Sequence, residues 1–387
     1  MSTTLDLRYG STTIRVVTHA RVAEVAAPRF AEPPLGVSAL LTAALERPIG
    51  SAPLEARVRP GDRVTVIVSD RTRDEPRREL LAAVRARLPS VRLTLAIATG
   101  THGPSGGPAS VGLAGVDLAG VTVVDHDGGS PADLVDVGET ARATPVRVHR
   151  CVVEADLVVA TGVIRPHYFA GWGAGAKAVF PGLAESTAAR VNHRFKTHPS
   201  ALPGAVDDNV CRLDMEDAAL LAAPRAFLLD GVADGEGAIR GAVAGDLLTA
   251  FRTGVDLARP WVTVTAPRSR LIVVEDQAPV TDSLYQACKL VAAVAARLLP
   301  GGTIVLVAPC ADGIGPVDVV NRAIYEIGLK PRLPTAHRIL LVSELADDVV
   351  RASFAVPLKS LADAIAGVDE LILVRGASKL VVHGVDA

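Results

Sequence analysis

Short β-branched apolar runs alternate with helix-like stretches along most of the chain. Thr4–Tyr9 and Thr12–Val17 read as a hairpin around Gly10-Ser11, followed by a polar, proline-rich stretch and a helix at Val37–Leu45. Strand runs then recur at Arg63–Val68, Arg92–Ala98, Val121–Val124, Asp156–Ala160, Ala226–Leu229 and Trp261–Thr265, with helices expected at Glu79–Leu88 and Asp246–Arg259. Pro267-Arg268-Ser269 punctuates the pattern. A second series follows: strands Leu271–Val274, Thr303–Ala308, Arg338–Val342, Glu370–Val374 and Leu380–Val382, with helices Ser283–Leu298, Val317–Ile327 and Leu361–Ala366. This alternation predicts an α/β protein of two domains, 1–265 and 266–387, each a mostly parallel sheet flanked by helices. In such sheets, ligands bind beyond the carboxyl ends of the strands.

The bulk numbers fit that reading. The chain has 387 residues, 49% hydrophobic and 21% charged, enough to fill two cores. Its net charge of −2 comes with no basic stripe, which argues against nucleic-acid binding. No apolar run is long enough to span a bilayer, and the opening MSTTLDLRYG lacks the features of a signal peptide, so the expected location is cytoplasmic. Cys151, Cys211, Cys288 and Cys310 match no zinc spacing.

Polar clusters sit just past several strand runs. Ser69-Asp70-Arg71-Thr72-Arg73 follows the first. An aspartate and two arginines at a strand tip suit a hydroxylated or anionic ligand, because guanidinium forms a planar fork; a charged turn with Asp70 or Thr72 capping a helix is the alternative. Thr99-Gly-Thr-His102 ends the next run. Residues 165–184, RPHYFAGWGAGAKAVFPGLA, carry His167, glycines at 171, 173 and 175, then Lys177. Glycine lets a backbone approach a ligand closely, but Ala176 and Ala178 flank the lysine, so this is no phosphate-binding P-loop. A tight connection with a solvated lysine remains the other reading. Asn192-His193 lies beyond it, and Asp282-Ser-Leu-Tyr-Gln-Ala-Cys-Lys289 opens a helix with Tyr285 and Lys289 on one face.

Taken in order, these segments resemble the nickel-dependent lactate racemases and related 2-hydroxy-acid racemases and epimerases. The resemblance rests on Ser-Asp-x-Thr-Arg at 69–73, Gly-Thr-His at 100–102, Pro-His-Tyr-Phe-Ala-Gly at 166–171, the glycine-rich loop into Lys177, Asn-His at 192–193, Tyr-Gln-x-x-Lys at 285–289 and Gly-Ile-Gly at 313–315. It implies a nickel pincer nucleotide covalently attached to Lys177, with His193 as the protein ligand to nickel. It implies His102 and His167 as the acid/base pair, and Arg73 and Lys289 as holders of the substrate carboxylate. Asp70, Thr72, Gly173, Gly175, Tyr285 and Gln286 would line the cofactor site. It further implies an active site in the interdomain cleft, a small 2-hydroxy-acid substrate and cofactor-synthesis proteins as partners. Lactate-type members carry a tryptophan late in the second domain, whereas the only tryptophans here are Trp172 and Trp261 and the stretch Val349–Ser360 offers just Phe354, so malate, larger 2-hydroxy acids and sugar acids stand beside lactate as substrates. The competing readings are a zinc-dependent hydrolase, or another metal enzyme, using His102, His167 and His193, and a non-catalytic binding protein.

Overall fold

The computed structural model describes residues 2–30 and 35–385; part of the proline-rich stretch expected after the hairpin lies outside the described residues. Contacts divide the chain into two compact units. The larger holds Phe30–Arg165 and Phe169–Pro260; the smaller holds Met1–Arg29, Pro166–Tyr168 and Trp261–Ala387.

In the larger unit, six strands form one sheet in the order Ile239–Gly245, Ala226–Ala233, Leu157–Ile164, Arg63–Ser69, Arg92–Ala98 and Thr122–Asp125. Only the Ile239–Gly245 edge runs antiparallel to its neighbour. The central strands are apolar along their length because both faces of a parallel sheet are covered. Val64, Val66, Val68, Leu95, Ile97 and Val159 form a core with Leu41 and Leu45 of helix Val37–Glu46 and Leu80, Leu81 and Val84 of helix Arg77–Arg85. The run expected to stop at Ala160 continues to Ile164. Its polar pair does not end it, because the Thr161 hydroxyl donates to the Ile67 carbonyl at 2.7 Å and Gly162 stays in register opposite Asp230.

The smaller unit has its own six-stranded sheet, ordered Val356–Pro357, Arg338–Val342, Leu298–Val307, Ser269–Glu275, Glu370–Arg375 and Arg21–Val25, parallel throughout. Alternate side chains leave on opposite faces. Ile272, Val274, Ile304 and Leu306 meet Leu284, Leu290 and Val291 of helix Leu284–Val294. Leu271, Val273, Val305 and Val307 meet Leu5 and Leu7 of the hairpin Thr3–Tyr9/Thr12–Thr18, together with Leu361 and Ile365.

The expected division at residue 266 put the first 29 residues with the larger unit, whereas they group with the smaller one. The reason is non-local: Arg21–Val25 pairs with Glu370–Arg375, and the hairpin covers one face of the same sheet. Helix Thr249–Val262 also runs past Arg259 into the expected strand. Val255, Ala258 and Val262, spaced by three and four, stay buried on one face, so the strand begins at Thr263. The helix expected at Val317–Ile327 is a π-helix, Val319–Leu329.

Leu7 has 0% exposure. Leu7→Ala is expected to destabilise the protein by about 2–4 kcal/mol in denaturant unfolding, the ordinary cost of a buried leucine cavity. A loss under about 1 kcal/mol would mean the hairpin is not part of this core.

Candidate active site

The larger unit gathers one group of the residues singled out in the sequence. Asp70 follows the strand Arg63–Ser69 and is 4% exposed. Its Oδ1 accepts from the Thr72 amide at 3.0 Å and the Thr72 hydroxyl at 2.6 Å, while Arg73 Nη1 donates to that hydroxyl at 3.2 Å. Neither Asp70 nor Thr72 caps the next helix, which begins at Arg77 behind Pro76. Asp70 Oδ2 instead sits 2.6 Å from His102 Nδ1. Burial raises the Asp70 carboxyl, but the His102 hydrogen bond and the Arg73 charge outweigh it, leaving a pKa of about 2. An ionised carboxylate only accepts hydrogen bonds, so Nδ1 carries a proton, and in the neutral ring Nε2 is the acceptor nitrogen. That is the tautomer a general base needs.

Lys177 and His193 meet at a residue that the motif contained but the spacing did not single out. The Lys177 ammonium lies 5.6 Å from the centre of the Phe169 ring, and the His193 ring meets the same Phe169 edge-on at 5.1 Å between centroids. Lys177 belongs to the short 3-10 turn Gly175–Ala178; His193 ends the helix Ser186–His193. Loss of solvent, with the Arg73 and Arg212 charges nearby, brings the Lys177 ammonium down to about 7, so much of it is free amine at neutral pH. Burial and the charges of Lys177, Lys196 and His102 push His193 down to about 3, leaving the neutral imidazole that can ligate a metal. Arg73, His102, Lys177 and His193 thus feel one another electrostatically.

The turn holding Lys177 is pressed against buried charge. Gly175 has φ +62°, and its amide donates to Asp230 Oδ2 at 3.0 Å. A Cβ there would lie 2.6 Å from Phe251 Cδ2 and 2.7 Å from Arg212 Nη2. Arg212, fully buried, stacks on Phe251 at 3.7 Å, pairs with Glu216 at 2.9 Å and donates to the Trp172 and Ala174 carbonyls. Burial raises Asp230 to about 8, so its carboxyl is largely neutral at pH 7. Gly171 is tighter still: a Cβ would fall 1.6 Å from the Ala205 carbonyl oxygen. Gly173 differs, since its Cβ would meet only ordinary contacts at 3.6 Å or more.

Behind His193, Asn192 is fully buried and donates to Asp214 Oδ2 at 2.8 Å. Asp214 also accepts from the Thr140 hydroxyl at 2.5 Å and the Thr144 hydroxyl at 2.7 Å. Sequence reasoning missed Asp214, Asp230 and Arg212, because their partners lie far along the chain.

The smaller unit carries the rest. Tyr285, Gln286 and Lys289 lie in the first turns of helix Leu284–Val294, capped by Ser283. Lys289 is half-buried, and its ammonium donates to Gln286 Oε1 at 2.5 Å, a partner one turn back. The His167 ring stacks on Tyr168 at 5.2 Å and 25°.

The lactate racemase N-terminal domain family matches residues 9–203. The chain belongs to the lactate racemase family. It is 30% identical over 335 residues to the lactate racemase of Lactiplantibacillus plantarum, covering 78% of this chain and 79% of that one. It is 29% identical over 355 residues to the lactate racemase of Thermoanaerobacterium thermosaccharolyticum, covering 83% of each. The structure of the apoprotein of a lactate racemase from the latter organism superposes with a TM-score of 0.83 at 25% identity, over 98% of this chain and all of that one. A Thermotoga maritima protein shares the fold, with a TM-score of 0.68 at 17% identity over 92% of this chain. The family is one of isomerases, and its expected α/β architecture of parallel sheets flanked by helices is the one observed.

Two outcomes test the packing and the electrostatics of these residues. Gly175→Ala is expected to cost about 2–4 kcal/mol, from overpacking added to a left-handed backbone; a neutral result in thermal and denaturant unfolding would contradict the packing of the turn. Asp70 has a depressed pKa, so the stability it contributes is present above 3.8 and lost as pH falls through about 2. The stability gap between wild type and Asp70→Asn should therefore be widest above pH 3.8 and narrow below it. A gap independent of pH would mean that His102 and Arg73 do not hold the carboxylate charged.

Proposed function

We propose that this enzyme inverts a 2-hydroxy acid at C2, as lactate racemases do with lactate, using a lysine-tethered nickel pincer nucleotide. The observation that carries the reading is the convergence of Lys177 and His193 on Phe169, within electrostatic reach of the Asp70-held His102. The donor set fits that group. A half-buried amine of lowered basicity suits covalent attachment, and a single neutral imidazole suits a metal whose other donors come with the cofactor. Lys177 would hold the nucleotide and His193 its nickel, with Asp70, Thr72, Gly173, Gly175, Tyr285 and Gln286 lining it. When bound, the cofactor supplies reversible acceptance of a hydride from C2.

The remaining work falls to this chain. The C2 hydrogen of a 2-hydroxy acid is not acidic, so its departure as hydride must accompany loss of the hydroxyl proton. The two enantiomers present that hydroxyl differently, and one base for each is the simplest solution. His102 would take the proton at Nε2 from one enantiomer, and His167 would serve the other. Arg73 and Lys289 would hold the carboxylate while the planar 2-keto acid turns over. Cofactor-synthesis proteins are the partners this reading requires, and the cytoplasm is where we place the enzyme; no helix among the described residues is long and apolar enough to cross a membrane. A zinc hydrolase has no comparable support. Zinc enzymes need three protein ligands, and among the described residues no three His, Cys, Asp or Glu side chains gather as metal ligands.

The test uses protein produced together with the cofactor-synthesis machinery and lactate deuterated at C2. The deuterium is expected to stay with the inverted product, and the peptide bearing Lys177 to carry a nickel-containing adduct. Lys177→Ala is expected to remove both. Wash-out of the label to solvent would exclude hydride transfer; an unmodified Lys177 in active protein would exclude the tether.

A further inference from the structure

The chain leaves the larger unit for only three residues, Pro166–Tyr168, before returning at Phe169. Those three group with the smaller unit, and His167 is the middle one. What holds them is specific. Arg332 Nη1 donates to the Tyr168 carbonyl at 2.8 Å. The Tyr168 ring packs against the core formed by helix Leu284–Val294 and one sheet face. The turn Ala377–Lys379 packs against Pro166–His167, and the His167 ring stacks on Tyr168.

Arg332 is itself braced. It ends the turn Lys330–Arg332, directly after the π-helix Val319–Leu329. His337 Nδ1 lies 2.7 Å from the Pro334 carbonyl, which can only accept, so Nδ1 carries the proton. His337 Nε2 then accepts from the Tyr325 hydroxyl at 2.8 Å. That bond closes the loop from residue 325 to 337 around Arg332. Tyr325 is fixed in turn by stacking on Phe354, with centroids 4.6 Å apart and planes 9° apart. A π-helix inside a fold is often kept for what it positions rather than for stability.

We infer that Arg332 is a positioning residue for His167. Its guanidinium clamps the carbonyl that follows the histidine, in a loop stiffened by the Tyr325–His337 bond and the Tyr325–Phe354 stack. Through that clamp, Arg332 holds the backbone immediately after His167. The inference rests on the function proposed above for its kinetic consequence, but the clamp itself is a property of the apoprotein.

The consequence is one-sided. His167 would take the hydroxyl proton of one enantiomer only, as the 2-keto acid forms with its C2 hydride passing to the acceptor that the proposed cofactor would supply; His102 would serve the other. A displaced His167 therefore slows keto-acid formation from one enantiomer and spares the other. A general loss of folding would slow both.

The experiment measures single-turnover keto-acid formation from D-lactate and from L-lactate, separately, with loaded wild type, Arg332→Ala and Arg332→Lys. In parallel, the imidazole resonances of the cofactor-free proteins are followed by NMR, with the His167 and His102 signals identified by their disappearance in His167→Ala and His102→Ala. Arg332→Ala is expected to slow one enantiomer tenfold or more and the other less than twofold. His167 signals should move while those of His102 stay. Arg332→Lys, whose ammonium can still reach a carbonyl, should fall between. Equal losses for both enantiomers, or unmoved His167 signals in Arg332→Ala, would overturn the inference. If loaded wild type forms keto acid from neither enantiomer, the proposed function is what fails, and the His167 signals alone decide on the clamp.

Discussion

The Phe169 ring is where the larger unit's site is assembled. Lys177 lies over it and His193 meets it edge-on, so an amine and an imidazole 16 residues apart in sequence share one apolar surface. Much else follows from that contact. Loss of solvent around the amine, with the charges of Arg73 and Arg212, makes Lys177 weakly basic. Lys177 in turn helps keep His193 unprotonated.

Holding that arrangement requires backbone packed more closely than side chains permit. Gly171 and Gly175 are glycines because Ala205, Phe251 and Arg212 occupy the space that a Cβ would need. Behind them lie groups that are costly to bury: Arg212 with Glu216, the neutral Asp230, and Asp214 accepting from three donors. Buried polar groups of this kind add little net stability compared with apolar packing, but they penalise every alternative arrangement that leaves one unpaired. The larger unit spends them behind Lys177 and His193, where position matters more than stability. Helix Ser186–His193 illustrates the point, since its fully buried Asn192 is tied to Asp214 one residue before the proposed ligand.

His102 is set by a lighter device. One ionised carboxylate fixes the tautomer, and the same carboxylate gathers the Thr72 amide and hydroxyl. The turn from Asp70 to Arg73 is thus ordered by Asp70 itself rather than by the helix after it. Arg73 reaches the group through the Thr72 hydroxyl, and its charge is felt at both Asp70 and Lys177.

The local pattern of the chain determined the elements and their class. Apolar runs covered on both faces read as parallel strands, and strand ends read as the places for chemistry, because these depend on neighbours within a few residues. The motifs at Asp70, His102, Lys177 and His193 were legible for the same reason: each is a short string just past a strand, in a turn or at a helix end. Tertiary structure alone decided that Arg21–Val25 completes a sheet with Glu370–Arg375, that Thr161-Gly162 continues a strand, and that three residues around His167 leave one unit for the other. It also decided which ring Lys177 and His193 share and which carboxylates stand behind them. Pairing between distant strands and the satisfaction of buried polar groups depend on which surfaces meet in space, and that information is absent from any window of sequence.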